Sequence, residues 1–171
     1  MHGDTVDSLR DELRRSLHGP AWHGPSLLEA LADVSPREAQ EHPLAGAHSI
    51  AELAFHTLAW MEEVTRRLDG SAPSLPARGD WPSDDAALPT VEAIRLLRLA
   101  GESLDRTLAT FPPARLTEIV GDTKQDASAG SGVTYAVMLH GLAQHTAYHG
   151  GQIVMLRKAL RDAPAAALAP A

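Results

Sequence analysis

The sequence contains no cysteine and few aromatic residues. The absence of thiols excludes disulfide bonds, thiolate metal ligands and a catalytic cysteine, and it is consistent with a reducing compartment. Because only 4% of the residues are Phe, Trp or Tyr, aliphatic side chains must build the core. No apolar run reaches the length of a membrane span, and the polar, acidic N-terminus lacks the features of a secretory signal. We therefore expect a cytoplasmic protein without a membrane partner, whose chemistry depends on histidine, carboxylate or hydroxyl groups.

Positive charge is also scarce in this sequence. The 15 Lys and Arg residues are outnumbered by 22 Asp and Glu residues, which leaves a formal net charge of −7 with histidine neutral. Such a charge repels phosphate backbones, so nucleic acid is not expected to be a partner. Histidine is the residue in excess, with nine copies, and the functional interpretation depends on where they lie.

The length and hydrophobic pattern predict a single helical domain. A chain of 171 residues that is 44% hydrophobic is long enough to bury one core. Four long segments repeat apolar residues with the helical period, and no useful length alternates as a half-buried strand would. The fold class is therefore predicted to be all-α. We expect one bundle domain over residues 1–163 and a disordered Ala/Pro tail over residues 164–171.

Capping and stop signals place the predicted helices. Ser49 followed by Glu52 is a capping box at the start of the second long helix, and Thr90 is predicted to cap the third. The predicted long helices are 5–17, 49–69, 90–110 and 134–160, with a shorter one over 26–34. Long linkers in place of tight turns favour a four-helix bundle with long crossover connections. Trp81, within the Pro- and Ser-rich loop after the second long helix, is expected to pack back onto the body.

Two histidines of the fourth long helix are candidates for chemistry. His145 and His149 fall near the middle of its apolar stripe, and their i, i+4 spacing lets both rings reach one metal ion. Gln152 projects to the same side and can hydrogen-bond a ligand, a water or an imidazole. Two core histidines that bond only to neighbours are an equally good interpretation of the pair. Because Thr146 stands where a zinc peptidase has its glutamate, that mechanism is not supported.

A third ligand must come from another helix, because a catalytic transition-metal site needs three protein ligands and an open position. His56 of the second long helix is the best candidate, although it is equally compatible with a half-exposed surface histidine. Trp60 lies beside it as a candidate pocket residue. Glu63 projects near His56 and is a candidate to orient it, while a solvated glutamate is the simpler interpretation. His23, in the turn that follows the first helix, is kept as a candidate pocket residue.

Four stretches of the chain together resemble the DinB-like superfamily of small bacterial metal-binding four-helix bundles. They are Trp22-His23-Gly24-x-Ser26-Leu27-Leu28, Ala47-His48-Ser49-Ile50, Asp80-Trp81-Pro82 and His145-Thr-Ala-Tyr-His149-Gly-Gly151-Gln152-Ile153. Each motif is weak alone, but their order and separation are specific, and they extend over nearly the whole chain up to the tail.

The resemblance implies a three-histidine site at one end of the bundle, with His56, His145 and His149 as the ligands of zinc or nickel. Characterised members include transferases and isomerases that act with a low-molecular-weight thiol. The implied function is a divalent-metal-dependent enzyme acting on a small-molecule substrate, with a thiol-dependent transferase as the leading interpretation. A metal-dependent hydrolase and a non-catalytic metal-binding stress-response protein are the alternatives. A homodimer is expected from the resemblance alone.

Overall fold

The computed structural model of the chain describes residues 5–81, 89–121 and 132–162. All regular secondary structure in these ranges is helical, which confirms the predicted all-α class, and only two isolated β-bridges occur there. The helices are α1 (Val6–His18), α2 (Leu27–Leu31), α3 (Pro36–Gln40), α4 (Ile50–Leu68), α5 (Thr90–Ala109) and α6 (Tyr135–Asp162), and a 3₁₀ helix spans Pro113–Thr117. The predicted tail lies outside the described residues.

The four long helices α1, α4, α5 and α6 form the predicted bundle. Each packs against two of the others, so that their order around the bundle is α1, α6, α4, α5. Consequently, the connections from α1 to α4 and from α5 to α6 join helices that are diagonal to each other. These are the long crossovers that the linker lengths predicted. None of the described helices combines the length and the apolarity that crossing a membrane requires.

Side-chain caps begin the first four helices of the chain. Each N-cap side chain accepts a hydrogen bond from the backbone N–H three residues on, and the side chain of that third residue accepts one from the N-cap backbone N–H. The four N-cap residues are Thr5, Ser26, Ser35 and Ser49. The capping box predicted at α4 is confirmed, because Glu52 Oε2 accepts from the Ser49 N–H at 2.6 Å. The cap fixes where α4 begins and therefore which of its residues face α6.

Two local predictions were wrong. Thr90 is the first residue of α5 and does not cap it; Pro89 occupies the cap position without a side-chain hydrogen bond. The fixed backbone of the proline sets the conformation before the helix starts, and the Thr90 hydroxyl is left buried without a partner among the described residues. The short helix predicted over 26–34 ends at Leu31, because Asp33 adopts a left-handed φ of 60°.

Candidate metal centre

Three histidine rings from α4 and α6 converge at one point. The Nε2 atom of His145 lies 3.0 Å from Nε2 of His56 and 3.0 Å from Nε2 of His149. The ligand atoms of the three residues all lie within 4.8 Å of one another. His56 and His149 are each only 6% exposed, so they are core residues with polar tips. The structure thus brings together the three residues that the sequence singled out.

The geometry of the two helices explains the convergence. His145 and His149 are one turn apart on α6, which places their ring centroids 4.4 Å apart. His56 reaches the same point from α4, with its ring centroid 4.9 Å from that of His145. Because α4 and α6 are direct neighbours in the bundle, no loop has to carry a ligand.

The outer ring nitrogens of two histidines are occupied by oxygen acceptors. Nδ1 of His56 lies 2.6 Å from the backbone carbonyl oxygen of Asp80, and Nδ1 of His149 lies 2.6 Å from Oε1 of Gln152. A carbonyl oxygen only accepts, so each Nδ1 carries the proton and each Nε2 presents a lone pair to the cluster. Gln152 therefore has one of its predicted roles, as the partner of an imidazole.

The third ring, that of His145, cannot satisfy the other two. Its Nε2 lies between the lone pairs of His56 and His149 and has at most one proton to donate. Its Nδ1 is buried and has no hydrogen-bond partner in the described part of the chain. A cation at the centre would satisfy all the inward lone pairs. Two imidazole nitrogens at about 2.1 Å from one ion are separated by roughly 3.0–3.4 Å, so the two 3.0 Å distances from His145 fit a shared divalent transition metal.

The electrostatics of the cluster favour neutral imidazole. Burial is the main cause that lowers the pKa of His145 to about 3, and the neighbouring His149 and His56 add to it. Burial likewise lowers the pKa of His149. Only neutral imidazole coordinates a metal, so both rings are in the binding form at neutral pH.

The loop after α4 is held against the cluster by an aromatic stack. The indole of Trp81 lies between the rings of His48 and His56, with centroid distances of 3.6 and 3.9 Å and nearly parallel planes. The predicted packing of Trp81 onto the body is confirmed. In addition, Trp60 Nε1 donates to Asp80 Oδ1 at 2.7 Å, which fixes the residue whose carbonyl meets His56.

Glu63 does not orient His56. Its Oε1 accepts from Nε of Arg67 at 2.7 Å, and both carboxylate oxygens accept from Arg66 at 2.8 Å. The expected role fails because two guanidinium groups on the same helix compete for the carboxylate and are much closer in sequence. The acceptor on His56 is instead a backbone carbonyl, a group that carries no signal in a sequence.

Two further histidines lie away from the cluster. His23 is exposed in the turn before α2, so the structure does not bring it into the site. His140 is half-buried on α6, where its Nδ1 lies 2.7 Å from Oε2 of Glu12. His48, in contrast, contacts the cluster indirectly by stacking on Trp81, a contact that sequence reasoning missed.

A cavity of about 510 Å³ between α4 and α6 ends at two of the three histidines. His56, Trp60, Asp80 and His145 line it at this end, and the remaining wall is mostly apolar. Trp60, a candidate pocket residue from the sequence, is one of the residues that line this cavity. Pockets that bind small organic molecules are lined mostly by apolar side chains, and this cavity has such a lining.

Comparison with known proteins gives one match. A family model described as the DinB superfamily matches residues 21–153, a segment that contains all three histidines of the cluster. No curated protein and no solved structure matches the chain.

Proposed function

Because this chain belongs to the DinB superfamily, we propose that it is a divalent-metal-dependent enzyme whose cation is held by His56, His145 and His149. The observation that supports the proposal best is the convergence of three Nε2 atoms, with those of His56 and His149 each 3.0 Å from that of His145. Two of these atoms present lone pairs because Asp80 and Gln152 hold the protons on the opposite side of the rings. Zinc and nickel are the proposed metals, since both accept imidazole ligands.

The residues around the cluster orient the ligands and exclude water. When bound, a divalent cation supplies Lewis acidity, which makes a thiol or a water more acidic. The Asp80 carbonyl and the Gln152 amide keep His56 and His149 aimed at one point. The indole of Trp81 covers one face of the His56 ring and keeps solvent from it.

We assign the reaction to thiol-dependent transfer onto a small organic electrophile. The chain has no cysteine, so a low-molecular-weight thiol must supply the sulfur. In this reaction a sulfur–carbon bond forms, the leaving group departs with its bonding electron pair, and the thiol proton passes to solvent. The apolar cavity beside His56 and His145 supports an organic substrate, and the Asp80 carboxylate that lines it already accepts a hydrogen bond from Trp60.

Metal content tests the first half of the proposal. The purified protein, exposed separately to zinc and nickel and then desalted, is expected to retain about one ion per chain. His145→Ala should lose the ion while keeping its helical circular dichroism spectrum. His140→Ala is the matched control, since it removes a histidine of the same helix that lies outside the cluster. A wild type that stays metal-free after both exposures would overturn the proposal.

Turnover with thiols tests the second half. The metal-loaded protein should accelerate conjugation of a low-molecular-weight thiol with a fluorogenic alkyl halide, and chelator treatment or His149→Ala should abolish the acceleration. The alternative function, a metal-dependent hydrolase, is tested by measuring ester hydrolysis in the same preparation. Several low-molecular-weight thiols should be tested. If the ester is cleaved and the protein accelerates the reaction of none of these thiols, the transferase assignment is wrong, but the metal site is not contradicted.

A further inference from the structure

The cavity that ends at the histidine cluster has a buried guanidinium at its opposite end. Arg67 lines this cavity together with His56, and the two residues lie on one helix, α4. At a rise of about 1.5 Å per residue, they are separated by about 16 Å along the helix axis. Tyr135 donates to the Arg67 carbonyl at 3.3 Å, which places the start of α6 at this far end. The cavity therefore extends along the α4–α6 interface from the histidines to Arg67.

Part of the Arg67 guanidinium is unused. The side chain is only 2% exposed. Its Nε donates to Glu63 Oε1 at 2.7 Å, and its Nη2 donates to the Ser74 carbonyl at 2.9 Å. Nη1, which carries two N–H groups, has no hydrogen-bond partner in the part of the chain that the structure describes. Nη1 is not among the fully buried unpaired atoms of the described residues, so its N–H groups can donate to an acceptor that enters the cavity.

The charge at this end of the cavity is positive. Arg66 and Arg67 share the single carboxylate of Glu63, which leaves one cationic charge in excess. At the histidine end, the cavity is lined by the negatively charged carboxylate of Asp80. The cavity thus has a positive end and, in the metal-free protein, an end that repels anions.

The wall between the two ends is apolar. Val64 and Leu142 are the buried side chains of this wall. The side chains at its rim are also apolar, so a hydrocarbon chain can pack against them. The other apolar residues along this wall are Val133, Val137 and Met138. Gly141 leaves a gap there, since a Cβ built on it would meet nothing within 4 Å.

We propose that this cavity binds an elongated apolar monocarboxylate, with its carboxylate on Nη1 of Arg67 and its chain along the α4–α6 wall. This orientation places the distal end of the molecule beside His56 and His145. That such a molecule is the substrate rests on the proposed function. Its binding to the cavity depends only on Arg67 and the apolar wall.

Titration of the chelator-treated full chain with decanoate tests the proposal without the metal. Decanol and decylamine, which have the same chain length, are the matched ligands. The readout is the change in tryptophan fluorescence, to which Trp60 at the cavity wall contributes. A hydrogen bond to a charged group is worth enough that decanoate should bind about tenfold or more tightly than decanol. Equal affinity for decanoate and decanol, or a preference for decylamine, would overturn the proposal.

Two pairs of variants locate the site. Arg67→Met should abolish the preference for decanoate over decanol. Arg66→Met should only reduce it, because that change removes the excess positive charge but leaves Nη1 of Arg67 at the cavity. If Arg67→Met does not fold, Gly141→Leu still tests the proposal, since it fills the gap in the wall. It should weaken decanoate binding without lowering the melting temperature. Gly151→Leu, at an equally open position of α6 outside this cavity, should leave binding unchanged.

The outcomes separate this proposal from the metal site. Unchanged decanoate affinity in Gly141→Leu would overturn the cavity assignment, even in a protein that retains its metal ion. Conversely, decanoate selectivity in a wild type that never takes up metal would support the cavity and overturn the metal-dependent function.

Discussion

The two outer rings of the histidine cluster are held by different kinds of acceptor. His149 depends on the side chain of Gln152, with 2.6 Å between Nδ1 and Oε1, whereas His56 depends on the backbone carbonyl of Asp80. A substitution can therefore remove the first acceptor and leave the second in place. This makes Gln152 the residue at which the orientation of one ligand can be tested separately from the ligand itself.

We predict that Gln152→Leu lowers metal affinity by about 10- to 100-fold, the usual cost of losing the partner of a ligating histidine. The fold should be retained, because leucine has a similar size and the residue is only half-buried. Competition with a chromophoric chelator measures the affinity. Gln144→Leu, an exposed position of α6, is the control and should bind metal as the wild type does. Equal affinities in the two variants would contradict the orienting role of Gln152.

At the scale of elements, the loop that follows α4 is attached to the bundle at the histidine cluster. Trp81 stacks between His48 before α4 and His56 within it, so a single side chain connects the loop to two other segments. The bond from Trp60 to Asp80 adds a polar contact one residue earlier. The position of the loop and the orientation of His56 therefore depend on each other.

Trp81→Ala should weaken both the fold and the site. We expect a loss of about 1–3 kcal/mol in the free energy of unfolding, below the range for a fully buried aromatic residue because Trp81 is half-buried. Metal affinity should fall as well, since the His56 ring loses its stacking partner. Urea denaturation and chelator competition measure the two effects. Trp22→Ala removes a fully exposed indole and should change neither quantity; similar behaviour of the two variants would rule out the proposed attachment.

At the scale of the whole molecule, burying the histidine cluster makes stability depend on pH. An unfolded histidine takes up a proton near pH 6.5, whereas burial lowers the pKa of His145 in the folded protein to about 3. Between these values the unfolded state binds more protons, so the stability of the metal-free protein must decrease as the pH falls from 6.5 toward 3. The lowered pKa of His149 acts in the same direction.

Denaturation of the chelator-treated protein between neutral pH and about pH 4 measures this dependence. The wild type should lose stability more steeply than His145→Ala over that range, because the variant lacks the group that the fold keeps neutral. The comparison also removes the contribution of the carboxylates, which both proteins share. Parallel curves would mean that His145 titrates in the folded state as it does in the unfolded chain.

Local patterns determined much of the molecule. The helical period and the capping boxes are properties of neighbouring residues, so the four long helices and the start of α4 could be predicted from them, whereas the short α3 was missed. The i, i+4 pair His145 and His149 shares one face of α6 for the same reason. The break at Asp33 was missed, since nothing in the hydrophobic pattern indicates a left-handed backbone there.

Only the tertiary structure decided what surrounds the histidines. Whether His56 meets His145 depends on the register of α4 against α6, and its acceptor is a carbonyl brought by a loop. The engagement of Glu63, by contrast, has a local cause, because Arg66 and Arg67 lie three and four residues further along the same helix and bind its carboxylate. Helix formation and capping are set by residues a few positions apart, whereas the partners of His56 are set by which distant segments pack together.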